Sequence, residues 1–379
     1  MAEPFVSRRA LPDFALWTKL GEKRVPVSFD LEATARCNLN CRHCYINVSA
    51  GNKTAKRREL SPAEIERIGA EAASLGAIWC LITGGEPLLR RDFFDVYLAL
   101  RKQGLLVSVY TNATLVGHEQ AEFFREHPPR DIEVTVYGVT AATYERVTRV
   151  PGSFAAFRAG LDLLLESGIK VRLKAMALRS NLKELPAINR FCRARTKDYF
   201  RFDPFLHYRF DRNARRNAEI ESERVTSAEV VTLERTDRER RRAMDDRCGQ
   251  FIVPSFADSD CHHIFRCDAG RRNFVVGDDG RFRLCASLNH PDFLFDLKGG
   301  SLAAAWNDFV PEVLARTSDR KEYLERCARC PIVNLCLWCP AHAYLETGEL
   351  DVPVDKFCQT AHARAEALVK RTGRKSVDK

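Results

Sequence analysis

The sequence predicts an α/β fold: a partial barrel of six βα units, followed by a small cysteine-rich α+β domain. Three observations predict it. From Val25 to about Leu206, short β-rich runs alternate with segments of helical periodicity, the pattern of a parallel sheet or barrel. Residues 213–260 then turn polar and densely charged, as a connector between domains does. Beyond them the cysteine density rises, with nine of the 14 cysteines lying between Cys248 and Cys358.

The elements follow in order. A first strand near Val27–Ala33 leads into a polar loop carrying Cys37, Cys41 and Cys44. A helix opens at Ser61-Pro62-Ala63-Glu64, where Ser61 caps, Pro62 suits the first turn and Glu64 completes a capping box. Ile65, Ile68, Ala72 and Leu75 recur at helical spacing and turn one face inward, and Gly76 closes the helix. The apolar run Ala77–Ile82 reads as the second strand and ends in Thr83-Gly84-Gly85-Glu86-Pro87. Further strands fall at Leu105–Tyr110, Ile132–Tyr137, Ile169–Ala175 and Tyr199–Leu206. Helices lie between them at Asp92–Lys102, His118–Glu126, Phe154–Ser167 and Leu182–Ala194, with Gly104 and Gly168 at helix ends. The unit count is two short of a closed eightfold, TIM-like barrel. In the connector, Thr226-Ser227-Ala228-Glu229 offers a second capping box. Asn273–Val276 and Arg281–Leu284 then form a hairpin with Gly280 in its turn. The expected boundaries are an N-terminal extension over 1–24, the partial barrel over 25–212, the connector over 213–260 and the cysteine-rich domain over 261–379.

At 379 residues and 45% hydrophobic content, the chain is long enough to bury a sizeable core. Met1–Arg24 holds no apolar stretch of secretory or membrane-spanning length, so the expectation is a soluble, cytoplasmic protein with no membrane partner. In that setting clustered cysteines bind metal more often than they form disulfides. The net charge of +9 suits acidic partners, and a solvated basic surface explains it equally well. Arg212–Arg216 and Arg238–Arg242 are the only support for a zinc protein that binds nucleic acid. They lack interleaved aromatics, as a solvated face does.

Thiolates are soft ligands for zinc or iron–sulfur clusters, and Cys37-x3-Cys41-x2-Cys44 gathers three in one loop. Three protein ligands leave one iron of a four-iron cluster open. A zinc ion closed by a distant fourth ligand is the alternative. The C-terminal region repeats the question with Cys261, Cys267 and Cys285, then Cys327, Cys330, Cys336, Cys339 and Cys358, spacings that a zinc ribbon also uses. Cys80 on a strand and Cys192 on a helix read as small core residues, and Cys248 as a spare thiol.

The string Cys37-Asn38-Leu39-Asn40-Cys41-Arg42-His43-Cys44-Tyr45, with Gly84-Gly85-Glu86-Pro87 directly after the second strand, resembles the radical SAM superfamily. The resemblance implies that Cys37, Cys41 and Cys44 bind a [4Fe–4S] cluster whose fourth iron is chelated by S-adenosylmethionine. One electron then cleaves the sulfonium, and a 5′-deoxyadenosyl radical abstracts hydrogen from substrate. It also implies that Tyr45 packs on the adenine and that Asn112, Thr135 and Arg149 reach the ribose or carboxylate. Gly84 and Gly85 would leave backbone room for the ligand, and Glu86 would face its cationic end.

The C-terminal spacing resembles the SPASM extension of peptide-modifying members, which carries two auxiliary [4Fe–4S] clusters. That resemblance assigns Cys261, Cys267, Cys285 and Cys339 to the first, and Cys327, Cys330, Cys336 and Cys358 to the second. Cys336 and Cys339 are separated by two residues where the commonest pattern has three, which bears on the exchange of ligands between them. The implied substrate is a ribosomally made peptide. Sulfatase-maturing relatives place an aspartate base right after the third cysteine of the second domain, and here that position is Ala286. Only 36 residues precede Cys37, too few for a leader-binding domain of about eighty. The expectation is a precursor peptide bound directly or through a separate leader-binding protein, with an electron donor such as flavodoxin or ferredoxin. A small-molecule substrate, a sugar or tetrapyrrole precursor, is the second reading. For an acid or base, His262, His263, Asp268 and His290 are offered by position alone, near the implied ligands and facing a cavity between the domains.

Overall fold

The computed structural model describes residues 16–197, 200–247 and 262–372. Helix α1 (Leu16–Glu22) precedes β1 (Ser28–Thr34), and the chain then passes through the two-residue strands β2 (Arg36–Cys37) and β3 (Val48–Ser49) and the short helix α2 (Lys53–Arg58). The βα units continue with α3 (Pro62–Ser74), β4 (Trp79–Gly84), α4 (Phe93–Lys102), β5 (Leu106–Thr111), α5 (His118–Glu126), β6 (Asp131–Thr135), α6 (Ala141–Thr148), α7 (Ser153–Glu166), β7 (Val171–Met176), α8 (Leu185–Arg195) and β8 (Arg201–Asp203). Strands β1, β4, β5, β6, β7 and β8 lie side by side and parallel, which is the six-unit partial barrel.

Alternation along these strands decides where the core and the site lie. Phe29, Leu31, Cys80, Ile82, Val107, Val109, Ile132, Val134, Leu173 and Ala175 are buried on the helix-covered side. The residues between them, Asp30, Glu32, Thr83, Tyr110, Thr135, Lys174 and Asp203, line a cavity on the inner side. The inner face of this barrel therefore carries acidic and basic side chains among apolar ones such as Leu81 and Met176.

Helix α3 carries the complete Ser61–Glu64 capping box, and Thr226–Glu229 caps a helix in the same way. The sixth strand is shorter than expected, ending at Asp203 before Pro204, which has no N–H to give a ladder. Helix α6 was not foreseen, because its eight residues carry only Tyr144 and Val147 as large buried apolar side chains. Its start is set by Thr140, which accepts from the Thr143 N–H. The stretch beyond the barrel is more structured than a connector. It forms α9 (Ala214–Glu223), α10 (Ser227–Thr236) and α11 (Arg238–Arg247). Helix α10 is locked to the C-terminal helix Asp355–Thr372 by the buried pair Glu234–Arg364 at 2.5 Å.

The expected hairpin is present as β9 (Asn273–Val276) and β10 (Arg281–Arg283), with Gly280 at φ +84° in its turn. The hairpin does more than space two cysteines. Strand β9 pairs parallel with β1, and β11 (Phe295–Asp296) pairs with β10, so barrel and hairpin form one nine-stranded sheet. No helix among the described residues is long and apolar enough to cross a membrane.

Candidate active site

The three-cysteine loop leaves β1 at its C-terminal end, the end of a βα barrel where active sites are built. Its entry is fixed by Arg36, buried against Glu59 at 2.6 Å and donating to the Ala50 carbonyl at 3.1 Å. Its backbone is tied to α6, with Asn40 N donating to Thr148 O and Arg42 N to Val147 O. Two guanidiniums hold it from outside. Arg209 donates to the carbonyls of Cys44 (3.2 Å) and Asn47 (3.3 Å), and Arg216 to that of Cys41 (2.9 Å). Both also reach the Asn47 side-chain oxygen, and Asn47 donates to Leu39 O. Nothing in the sequence marks either arginine as a partner of this loop, because they lie more than 160 positions from it.

Gly84 and Gly85 line the cavity and are also required by the backbone beside them. Gly84 lies at φ +124°, and a Cβ on either glycine would overlap backbone oxygens of the β1 exit, Thr34 O for Gly84 and Arg36 O for Gly85. The glycines let β4 pass directly beneath the cysteine loop. Glu86 is wholly buried and outside the cavity lining. Its carboxylate accepts from Thr111 Oγ1 (2.8 Å), Asn112 N (2.8 Å) and Leu88 N (3.2 Å). Burial pushes its pKa up to about 7 against those hydrogen bonds. In this geometry Glu86 shapes the wall through Asn112, whose amide lies 3.0 Å from Asn38 Oδ1 and 3.8 Å from the Cys37 sulfur.

Cys37, Cys41, Cys44, Tyr45, Gly84, Gly85, Asn112 and Thr135 share one cavity of about 360 Å³, within the size range of small-ligand sites. Arg149 does not join them. It sits at φ +58° at the end of α6, paired with Glu219 at 2.5 Å, and lines a second cavity on the outer side of the loop. Tyr45 packs against His207 (4.3 Å between ring centres) and Phe210 (5.2 Å). His207 in turn lies 5.6 Å from His342 of the C-terminal domain, and burial together with His342 lowers its pKa to about 4. Burial likewise pushes the Cys37 thiol up to about 12, with Glu86 adding to it, and raises Cys41, to which Tyr137 hydrogen-bonds.

The cavity's charges are mostly paired. Glu32 meets Arg283 of β10 at 2.5 Å with both side chains buried, and Lys174 meets Glu133 and lies 3.8 Å over the Tyr110 ring. Asp203 accepts from Phe205 N. Asp30 alone among these lining carboxylates has no hydrogen bond or ion pair among the described residues. Burial, then the Glu32 charge, raises its pKa to about 6, against the pull of Arg283 and Lys174. Asp30 and Lys174 were missed in the sequence. The available signal was their place at every second position of an otherwise apolar strand.

Val275 and Ala286 of the second domain line the same cavity. His262, His263, Asp268 and His290 do not. His262 meets Asp319 at 3.0 Å, His263 bridges to Thr317, Asp268 pairs with Arg272, and His290 packs on Tyr344. Cys285 and Cys267 each lie close enough to Cys339 for its charge to raise them, and Cys358 acts likewise on Cys327, Cys330 and Cys336. Seven thiols thus fall into two groups. Cys261 and Cys248 lie outside the described residues. Cys80 and Cys192 are buried in the core, as expected.

A parallel half-barrel with a three-thiol loop at the C-terminal end of its first strand, over a cavity lined by charged and apolar side chains, is the arrangement of a βα-barrel enzyme site. Residues 31–192 match the family described as the Radical SAM superfamily; the chain carries that domain and is a radical SAM enzyme. It is similar to Fe-coproporphyrin III synthase of Methanosarcina barkeri, 25% identical over 325 residues and 80% of each chain. It is also similar to PqqA peptide cyclase of Gluconobacter oxydans, 25% identical over 323 residues, 82% of this chain and 87% of that protein. Among solved structures, Streptococcus suis SuiB bound to S-adenosylmethionine shares its fold, with a TM-score of 0.63 and 15% identity over 90% of this chain and 80% of that one. The superfamily implies S-adenosylmethionine and a [4Fe–4S] cluster. The residues fit a group of that size. His43, between Cys41 and Cys44, is buried on the cavity wall with its Nδ1 unpartnered.

Proposed function

We propose that Cys37, Cys41 and Cys44 hold the [4Fe–4S] cluster and that the enzyme abstracts hydrogen from a ribosomally made peptide. The observation that carries this reading is the shared cavity: the three thiols face the same space as Val275 and Ala286 from the C-terminal domain. When bound, the cluster supplies the electron that cleaves S-adenosylmethionine. The chain's own residues do the rest. Arg209 and Arg216 hold the loop, Glu86 sets Asn112 and the Thr111 hydroxyl, and Tyr45, Tyr137 and Leu206 give the cavity an apolar wall. Asp30 gives or takes a proton at its carboxylate, in a cavity where Ala286 supplies none. The C-terminal thiols, Cys261 with Cys267, Cys285 and Cys339, and Cys327 with Cys330, Cys336 and Cys358, hold two auxiliary clusters. Their separation into two groups supports that assignment.

The peptide substrate is supported by similarity to PqqA peptide cyclase across 82% of the chain. Coexpression with short peptides encoded beside the gene, followed by mass spectrometry, tests it. A mass change is expected with the wild type and none with a Cys37→Ala/Cys41→Ala/Cys44→Ala variant. Similarity to Fe-coproporphyrin III synthase over 80% of each chain favours a second reading, a tetrapyrrole substrate. Formation of Fe-coproporphyrin III from a tetrapyrrole precursor by the wild type, with every neighbouring peptide unmodified, would establish that reading instead.

A further inference from the structure

His207 follows β8 and lines the inner cavity beside Phe205 and Leu206. Its two ring nitrogens are not equivalent. Nδ1 lies 3.1 Å from the Tyr208 carbonyl oxygen, which can only accept, so Nδ1 carries the hydrogen and Nε2 keeps a lone pair. Nε2 has no hydrogen-bond partner among the described residues and is not one of the sealed polar atoms, so it opens into the cavity. His342, 5.6 Å away, shows the contrast: its Nδ1–H donates to the Leu337 carbonyl (2.9 Å) and its Nε2 accepts from the Ser287 hydroxyl (3.2 Å). Of the two imidazoles, only His207 has an acceptor to offer a ligand. Its position is rigid. Arg224 donates twice to the Leu206 carbonyl, at 2.8 and 3.0 Å, and pairs with Glu346 of the C-terminal domain, while Tyr45, Phe210 and His342 pack the His207 ring. Burial, then His342, lowers its pKa to about 4, so the ring is neutral near pH 7. A base that weak binds a donor without taking its proton, whereas Asp30, raised to about 6, exchanges protons.

We propose that His207 Nε2 accepts a hydrogen bond from an uncharged N–H or O–H group of the substrate peptide, and so fixes which residue of the peptide faces the cysteine loop. The inference rests on the peptide reading. The donor is a backbone amide or a side-chain hydroxyl or amide; a cation is drawn to Asp30 instead. Val275 and Ala286 bring no polar side chain from the C-terminal domain, which leaves orientation on that side of the cavity to His207.

The test uses the holoenzyme and a peptide encoded beside the gene that the wild type modifies. The peptide is synthesised as encoded, with each backbone amide N-methylated in turn, and with each donor side chain replaced by alanine. One altered peptide is expected to lower kcat/KM of the wild type by about tenfold or more. His207→Phe keeps a flat ring against Tyr45 and His342 without the acceptor. It is expected to show the same loss with the encoded peptide and no further loss with the altered one. An N-methylated peptide in that role names a backbone amide as the donor, and an alanine peptide names a side chain. Mapping of the product by mass spectrometry is expected to show one modified residue with the wild type and a spread to neighbouring residues with His207→Phe. His207→Gln, whose amide reaches the place of Nε2, recovers part of the rate, while His207→Asn, whose amide reaches only that of Nδ1, does not. This pair decides the question if the Phe variant is insoluble. The proposal is overturned if His207→Phe keeps the wild-type rate and product, if its loss adds to that of every altered peptide, or if the Gln and Asn variants react equally. Wild type that modifies none of the encoded peptides refutes the peptide reading and the role of His207 with it, whereas wild-type turnover that is indifferent to His207 refutes that role alone.

Discussion

Asp30→Asn is the most direct probe of the cavity's electrostatics. The carboxyl has an ordinary value of 3.8 and is raised to about 6 in the fold, first by burial and then by Glu32, with Arg283 and Lys174 opposing. A carboxyl with a raised folded pKa holds its proton more tightly in the native state than in the unfolded chain. Its contribution to stability is therefore fully present below pH 4 and is lost as pH rises through 6. The loss is at most about 3 kcal/mol, since each tenfold change in proton affinity is worth about 1.4 kcal/mol, and water entering the cavity reduces it. Asn removes the ionisation and keeps the shape. The variant should match wild type near pH 4, exceed it progressively up to about pH 6.5 and keep that margin at pH 8. Urea unfolding of both proteins under reducing conditions at pH 4.5, 6 and 8 measures this. A wild-type-to-variant difference that stays constant across that range would falsify the view of Asp30 as an unpaired carboxylate in a low-dielectric wall. The same variant should retain its iron and its affinity for S-adenosylmethionine while losing product formation.

Arg283→Met strands Glu32 without its cation and should cost about 3–5 kcal/mol, while Glu32→Gln/Arg283→Met recovers most of it; thermal denaturation of the three variants checks the coupling. Gly85→Ala drives a methyl group into the Arg36 carbonyl and should yield protein that is insoluble or lacks the N-terminal cluster, read as iron content and electron paramagnetic resonance. Arg216→Met frees the Cys41 carbonyl and should lower occupancy of that cluster, with Arg216→Lys recovering part of it; equal occupancy in all three proteins contradicts the clamp. The Cys37→Ala/Cys41→Ala/Cys44→Ala variant should lose about a third of the bound iron and all cleavage of S-adenosylmethionine, measured by iron assay and chromatography.

The local features were legible because they rest on short-range rules. The Ser61 and Thr226 capping boxes, the positive φ values at Gly76, Gly104 and Gly168, the Gly280 turn and the six parallel strands all follow from spacing and residue type within a few positions. The three-cysteine loop was legible for the same reason. Its company was not, because contacts across the fold leave no periodic trace. Only the tertiary structure put Arg149 outside the inner cavity and turned Glu86 toward Asn112. It also showed that Gly84 and Gly85, on the cavity wall, are needed where β4 passes the β1 exit, and it placed the four offered acids and bases away from the cavity lining. It alone joined the second domain's hairpin to β1, which brings Arg283 to Glu32 and Ala286 to the cysteines across about 250 residues. The physical reason is that a sequence specifies which groups a strand presents, while the register of distant strands specifies which of those groups meet.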